Sequence, residues 1–424
     1  MRDKKKIVLI TDFFPYSKVS EAFLETELLF WAEQKNMQLV IMPMHKDNFE
    51  REIPDSIQID NSFLEFLSIY EKKLETRKYK LLYSLFALKR GFFWKELTKQ
   101  VIKKPYLLKE LLLSIRRYEI YIKFLNKYIQ ENRVDLFYTY WFTEVTYSLQ
   151  SLKKFNNFKL ITRVHGFDLY EDRTFKNYMP LRRSFLQNID SIFTITSSAI
   201  DYLVKHYGFD QSVIELSPLG VIDRGIITPP TSSKILNIVS CATILPVKRV
   251  DKIIEILVEL SKELKDISIN WTHIGGGLIE EEIHKLASNK LNNLPNISYK
   301  FLGNLTNFEV YEFYRQNKID FFINTSESEG VPVSIMEAMS CHIPTVAPDI
   351  GGISDMVKNR FNGFLLSMDF SIKEAVSLLK NIEFFKSEKT RCNSYISFKN
   401  NYDANINYNS FINKLYLYTG RREC

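Results

Sequence analysis

The sequence predicts an α/β protein of two doubly wound, Rossmann-like domains facing across a cleft, with a basic helical insert in the first. Three observations carry that expectation. Short apolar, strand-like runs alternate with longer amphipathic stretches through most of the chain, the pattern of a parallel sheet with helices on its faces. The alternation comes in two series, separated by "VIDRGIITPPTSSK", where Pro229-Pro230 and three small polar residues make the best linker in the sequence. And 424 residues exceed the size at which a single core usually keeps growing.

In chain order, the first series of strands is "KIVLITDFF", "QLVIMPM", "VDLFYTYW", "KLITRVHG" and "SIFTITSS". The second is "KILNIVSCAT", "ISINWTHIGGG", "ISYKFLGN", "IDFFINTS", "IPTVAP" and "GFLLS". The domains are expected at 1–222 and 235–392, with 393–424 a C-terminal helix packing back on the first. The insert, about 60–133, has few turn signals and long helical periodicity, as in "LLKELLLSIRRYEIYIKFLNKYIQ". Aromatics at Tyr83, Phe86, Phe92, Phe93, Trp94, Tyr106, Tyr121 and Phe124 interleave with its cations. From Tyr70 to Arg133 there are 17 Lys/Arg against 6 Asp/Glu, a net of +11 within a chain whose total is +7, so the remainder is acidic.

The apolar and charged fractions are those of an ordinary globular protein, and no apolar run approaches the roughly 20 residues that span a bilayer. The opening "MRDKKKIVLITDFF" starts basic and turns apolar, but the run is short, broken by Asp12, and has no small-residue cleavage site. It reads as a first buried strand, which places the protein in the cytoplasm. Cys241, Cys341, Cys392 and Cys424 are scattered without metal-like spacing, as free thiols in a reducing compartment are.

One stretch asks for a chemical explanation: "SESEGVPVSIMEAMSCHIPTVAPDIGG", Ser326 to Gly352. It links a buried-strand pattern to a short helix, the place where open α/β sheets bind ligands. Pro332 suits the first turn of a helix, and Gly330 lets the backbone approach a ligand closely. A helix starting near Val333 offers free amides, from Val333 and Ser334, and a positive dipole end to an anion. Helical side chains lean toward the N-terminus, so Glu337 points back toward that mouth, where Glu329 also faces. Amides for a diphosphate and carboxylates for sugar hydroxyls would suit one ligand. Taken alone, the two glutamates fit a helix cap and a solvated surface residue equally well.

Several further motifs stand in order around it. "SCATILPVKRVDKIIE", "THIGGGLIEEEI", "FLGNLTNFEVYEFY", "LSPLGVID" and "RVHGFD" accompany the glutamate pair and its trailing Gly-Gly. Together they resemble the family 4 glycosyltransferases, retaining enzymes of the GT-B fold that use nucleotide-activated sugars. The similarity covers most of the chain and is strongest from Ile235 to Leu366. It implies that Glu329 binds hydroxyls of the transferred sugar, Glu337 the ribose hydroxyls, and that Lys248 neutralises charge on the departing diphosphate. It implies that His165, with Gly166, faces the donor sugar from the acceptor-side domain, and that Gly330, Val331, Val333, Ser334, Gly276 and Leu305 lie along the nucleotide. The position that the family usually fills with arginine is Thr243 here; Arg249, where glycine is common, is then a candidate for the second charge. The N-terminal loop also departs, with Ser17, Lys18 and Glu21 in place of paired glycines, so that Glu21 or Glu25 is expected to meet the acceptor.

The resemblance implies a nucleotide-sugar donor, UDP favoured over GDP, a glycan or lipid-linked oligosaccharide acceptor in bacterial surface polysaccharide synthesis, and no other cofactor. No Asp-x-Asp arrangement suggests a metal, and Lys248 can do a metal's electrostatic work. Nothing resembles a nucleic-acid module, whereas a basic, aromatic helical segment suits an anionic membrane. Residues 70–133 are therefore expected on the inner face of the cell membrane, with Lys103, Lys104, Arg116 and Arg117 toward the lipid. The alternative is a sugar-nucleotide-binding subunit that has lost catalysis; a GT-B epimerase or phosphorylase is a further one.

Overall fold

The computed structural model describes residues 4–18, 20–74, 76 and 85–420. Tyr83 and the cations at 77, 78 and 80, counted in the basic insert, lie outside them, as does Cys424. The chain forms two compact units, 1–218 with 408–424, and 219–407.

The first unit holds seven strands: β1 (Lys5–Thr11), β2 (Met37–Pro43), β3 (Gln58–Ile59), β4 (Leu136–Thr139), β5 (Lys159–Val164), β6 (Ser191–Thr194) and β7 (Ile214–Leu216). All pairs are parallel, in the order β3-β2-β1-β4-β5-β6-β7. Its strands are near-continuous apolar runs because a parallel sheet is covered on both faces; β4 is buried at every position. Helices α1 (Leu24–Ala32), α2 (Ser62–Leu74), α3 (Gly91–Glu96), α4 (Leu108–Glu131), α5 (Glu144–Lys153) and α6 (Ser197–Tyr202) connect them. The chain therefore turns one way from β1 through β2 to β3 and the other way from β4 onward. The gap between β1 and β4 is the topological switch point, where such sheets bind ligands.

The second unit repeats the plan with six parallel strands, β8 (Ile235–Cys241), β9 (Ser268–Ile274), β10 (Ile297–Phe301), β11 (Phe321–Ile323), β12 (Thr345–Pro348) and β13 (Gly363–Leu366). Their order is β10-β9-β8-β11-β12-β13, which puts the switch point between β8 and β11. The helices are α7 (Val250–Glu263), α8 (Glu280–Leu291), α9 (Asn307–Gln316), α10 (Val333–Ser340), α11 (Ile353–Met356), α12 (Ile372–Leu379), α13 (Ile382–Lys386), α14 (Glu388–Asn401) and α15 (Ala404–Gly420), the last running on into the first unit. Trp271, Phe321, Ile323 and Val346 centre its core.

Two expected boundaries fall elsewhere. The Pro-Pro stretch is no free linker: Thr228 is fully buried in the second unit, its hydroxyl donating to the Tyr314 carbonyl at 2.9 Å and its amide to that of Cys341 at 3.2 Å. The C-terminal 393–424 is two helices rather than one. Residues up to 407 belong to the second unit and only 408–424 to the first. There Phe411 lies against Tyr138 and Phe193, and Lys414 pairs with Glu215 at 2.7 Å.

A charged core ties this last helix to the sheet. Arg163 on β5 is wholly buried; its Nη1 donates to Glu27 of α1 at 2.6 Å and its Nη2 to Ser217 at 3.1 Å. Trp31 donates to the other Glu27 oxygen at 3.1 Å, and the guanidinium lies 4.3 Å from the centre of the Phe411 ring.

Between β3 and β4 the described insert is mostly helical, but its aromatics divide by burial. Phe93, Tyr121 and Phe124 pack into the core, Phe124 stacking on Phe63 with ring centres 4.4 Å apart. Phe86, Trp94 and Tyr106 stay exposed. From 85 to 109 the surface shows six exposed lysines, while the one carboxylate there, Glu96, is buried and accepts from the Tyr178 hydroxyl. No helix among the described residues is long and apolar enough to cross a membrane.

Candidate active site

Two loops meet at the switch point of the second unit. The first leaves β8 at Cys241, makes a short turn at Pro246–Lys248 and starts α7; the second leaves β11 at Ile323 and ends at Pro332, the N-cap of α10. Arg249 locks them together. Its Nε donates to the Thr325 carbonyl at 2.7 Å and its Nη2 to that of Ser326 at 3.1 Å, while the Thr325 hydroxyl donates back to the Arg249 carbonyl at 2.9 Å. Arg249 holds φ of +48° there, left-handed backbone that glycine adopts without strain. The side chain singled out as a second charge is thus committed, by two of its donors, to positioning the loops. Thr243 is exposed, and its carbonyl accepts from the Leu245 amide.

The lock sets Lys248 beside Glu329, Nζ to Oε1 at 2.7 Å, with both side chains largely shielded. Ser326 and Asn324 donate to the same oxygen at 2.6 and 3.3 Å. Among the described residues no hydrogen bond reaches Oε2, which leaves that oxygen for a ligand hydroxyl. Glu329 is therefore not a helix cap. Its backbone is clamped from behind: Gly351, at φ +54°, lies so close that a Cβ there would stand 2.0 Å from the Glu329 carbonyl oxygen. The neighbouring Gly352 amide donates to the Gly330 carbonyl at 2.7 Å. Of the trailing pair, Gly351 is needed for that approach. Gly330 itself faces open space, with no atom within 4 Å of a Cβ built on it.

Val331 is buried, and Val333 and Ser334 are the first two residues of α10, so their amides have no acceptor within the helix. Glu337 sits a turn further in, buried rather than solvated, and accepts from the Asn307 amide group. Gly276, after β9, donates to the Asn304 side chain at 2.9 Å, and the Gly275 amide to the Gly303 carbonyl at 2.7 Å. That brings the loop bearing Gly276 against the one bearing Leu305 and Asn307. The structure thus gathers Lys248, Glu329, Gly330, Val333, Ser334 and Glu337 at one sheet edge. Sequence reasoning passed over Asn324, Ser326 and Asn307; their signal was polar side chains directly following a buried strand or flanking a Thr306 capping box.

Burial pushes the Glu337 carboxyl up to about 7, against the opposing pull of Asn307 and of the Arg224 charge. Between its ordinary 4.5 and 7 the native state keeps a proton that the unfolded chain has lost, so Glu337 costs stability as pH rises through that window. Glu337→Gln is expected to gain about 3 kcal/mol relative to wild type on going from pH 4 to pH 8. Urea unfolding at both pH values reads this directly, and a difference independent of pH contradicts it.

His165 follows β5 in the first unit. Its ring lies among Phe23, Tyr140 and Trp141, with centres 5.8, 4.7 and 4.4 Å away. Asp168 is 4.0 Å from Nδ1 and accepts instead from the His165 and Phe142 amides, so neither ring nitrogen has a hydrogen-bond partner among the described residues. Burial pushes the imidazole pKa down, which keeps it neutral near pH 7.

Glu21, expected to meet the acceptor, does not face outward. Held at φ +55°, it accepts from the amides of Asp12, Phe13 and Phe14 at 2.7–2.9 Å and from the Trp141 indole at 2.7 Å. It organises the loop after β1. Glu25 pairs with Arg51. Arg116 and Arg117, expected toward lipid, line a cavity instead.

Comparison with known proteins places this geometry. Residues 229–396 match the family model described as glycosyl transferases group 1, and residues 84–223 that described as glycosyltransferase family 4. An uncharacterised glycosyltransferase of Methanocaldococcus jannaschii is 32% identical over 127 residues, 29% of this chain and 34% of that protein. The chain spans about a third of the length of the first curated relatives it matches. Among solved structures, a lipopolysaccharide outer core galactosyltransferase superposes with a TM-score of 0.68 at 16% identity, covering 97% of this chain and 99% of that one. The Anabaena protein HepE, in complex with UDP and glucose, gives 0.62 at 14% identity over 97% and 99%.

Proposed function

The chain belongs to the family 4 glycosyltransferases and has their GT-B fold; from that premise we propose that it is a retaining enzyme that moves a hexosyl or N-acetylhexosaminyl group from a UDP-sugar to a lipid-linked glycan in bacterial surface polysaccharide synthesis. The observation that carries the proposal is the Lys248–Glu329 pair, 2.7 Å apart beside the free amide end of α10. In this reading the Val333 and Ser334 amides and the Lys248 ammonium hold the diphosphate, and Lys248 takes up the charge that grows on it. Glu329 accepts from the transferred sugar through Oε2 and Glu337 from the ribose. The acceptor oxygen attacks the anomeric carbon from the face that the leaving group vacates. The carbon–phosphate oxygen bond breaks, and that oxygen takes the acceptor's proton, so that configuration is kept without a metal.

The exposed lysines between 85 and 109, interspersed with exposed Trp94, Ile102 and Tyr106, favour docking on an anionic inner membrane surface. Incubating the purified protein with UDP-sugars in EDTA tests the chemistry: slow release of UDP is expected, and turnover that needs added Mn²⁺ defeats the metal-free mechanism. Binding without turnover would instead select a sugar-nucleotide-binding subunit, a reading favoured by exposed Thr243 and by the commitment of Arg249 to loop carbonyls.

A further inference from the structure

A cavity of about 710 Å³ opens in the first unit, within the range of roughly 300–1,000 Å³ typical of small-molecule sites. It lies at the switch point of that sheet. Asp12 and His45 line it from the ends of β1 and β2, Trp141 and Phe167 from those of β4 and β5, and helices α2 and α4 of the insert build its outer wall.

Its polar groups are unequally matched. Asp12 is taken by His45, Oδ1 to Nδ1 at 2.6 Å. Arg116 and Arg117, adjacent on α4, both line the cavity. The Arg116 Nε is held by the Leu112 carbonyl at 3.2 Å, and Arg117 reaches Glu144 only at 3.9 Å. Partial burial, with the Arg117 charge adding to it, pushes the Arg116 pKa down, while the Glu144 carboxylate pushes that of Arg117 up, so Arg116 is the less compensated of the two. An anion received between them gains charge-assisted hydrogen bonds from planar donors. Beside them Trp141 and Phe167, with ring centres 4.5 Å apart, supply aromatic surface, and Trp141 adjoins the unpartnered His165.

We propose that this cavity binds an acidic sugar of the acceptor, a pyranose bearing a carboxylate or a phosphate, with its ring against Trp141 and its acidic group gripped by Arg116 and Arg117. The acceptor role rests on the transferase reading above; the binding chemistry does not. The insert is then a specificity element: it brings the arginine pair to a cavity that otherwise offers Glu144, the Asp12–His45 pair and aromatic rings.

Calorimetric titration of the whole protein, with UDP saturating the nucleotide site, tests this with glucuronate, glucose 6-phosphate, glucose and inorganic phosphate as probes. Both acidic sugars are expected to bind at least tenfold more tightly than glucose or phosphate. Arg116→Gln and Arg117→Gln should each weaken them tenfold or more, with melting temperature and UDP affinity unchanged. Glucose binding as tightly as the acidic sugars, phosphate binding as tightly as glucose 6-phosphate, an unaffected double variant, or no acidic sugar binding at all would each overturn the proposal. Failure of the transferase reading shows separately, as loss of UDP binding in the wild type. If only one of the two acidic probes binds, that identifies the substituent and supports the arginine grip.

Discussion

Replacing Lys248 by alanine is expected to lower kcat by about 10²–10³-fold, the loss of roughly 2.7–4 kcal/mol of transition-state stabilisation, while KM for the donor changes only a few-fold. Charge on the diphosphate grows as its bond to the sugar breaks, so an ammonium beside it stabilises the transition state more than the bound donor. In the proposed mechanism Lys248 is held for that task by Glu329 at 2.7 Å and by a turn that Arg249 braces. Arginine should not restore the rate, because its planar fork does not replace a compact charge in the space between Glu329 and the end of α10. Steady-state kinetics of Lys248→Ala and Lys248→Arg decide the matter. A kcat within threefold of wild type in the alanine variant removes Lys248 from the chemistry.

Arg163→Ala is expected to destabilise the first unit by about 3–5 kcal/mol, because it leaves the Glu27 carboxylate buried without its cation. The Glu27 side chain is 1% exposed and Arg163 fully buried, so water cannot take over either role. The loss is large against a typical total of about 5–15 kcal/mol. Converting both partners to apolar residues, Glu27→Leu with Arg163→Met, should recover most of it, since no buried charge then remains. Denaturant unfolding of the single and double variants distinguishes a charge effect from simple loss of packing: a double variant as unstable as the single one would exclude the former.

What could be read beforehand follows from how each feature is encoded. Strands such as "KIVLIT" and "KILNIVSC" stand out because a covered parallel strand must be apolar at nearly every position. β3 and β7, two and three residues at the sheet edge, carry no such signature. The glutamate loop was legible as a candidate ligand site because strand, glycine, proline and helix follow one another directly in the chain. Its supporting bonds were not, since Asn307 and Gly351 reach it from other loops. Arg249 was expected to meet the donor and Glu21 the acceptor from their places beside family motifs; both sit on left-handed backbone and hold loop carbonyls and amides instead. Arg116 and Arg117 were assigned to lipid by composition, which counts cations without saying which of them line a cavity.

The return of residues 408–424 to the first unit has a consequence for biogenesis. A ribosome delivers Arg163 about 250 residues ahead of Phe411, on the order of tens of seconds at the usual pace of translation. During that interval the nascent sheet lacks the ring that caps its buried guanidinium, and Phe193 and Tyr138 wait uncovered beside it. Truncating the gene before residue 408 should therefore yield a chain that chaperones retain, even though every residue of the second unit is present.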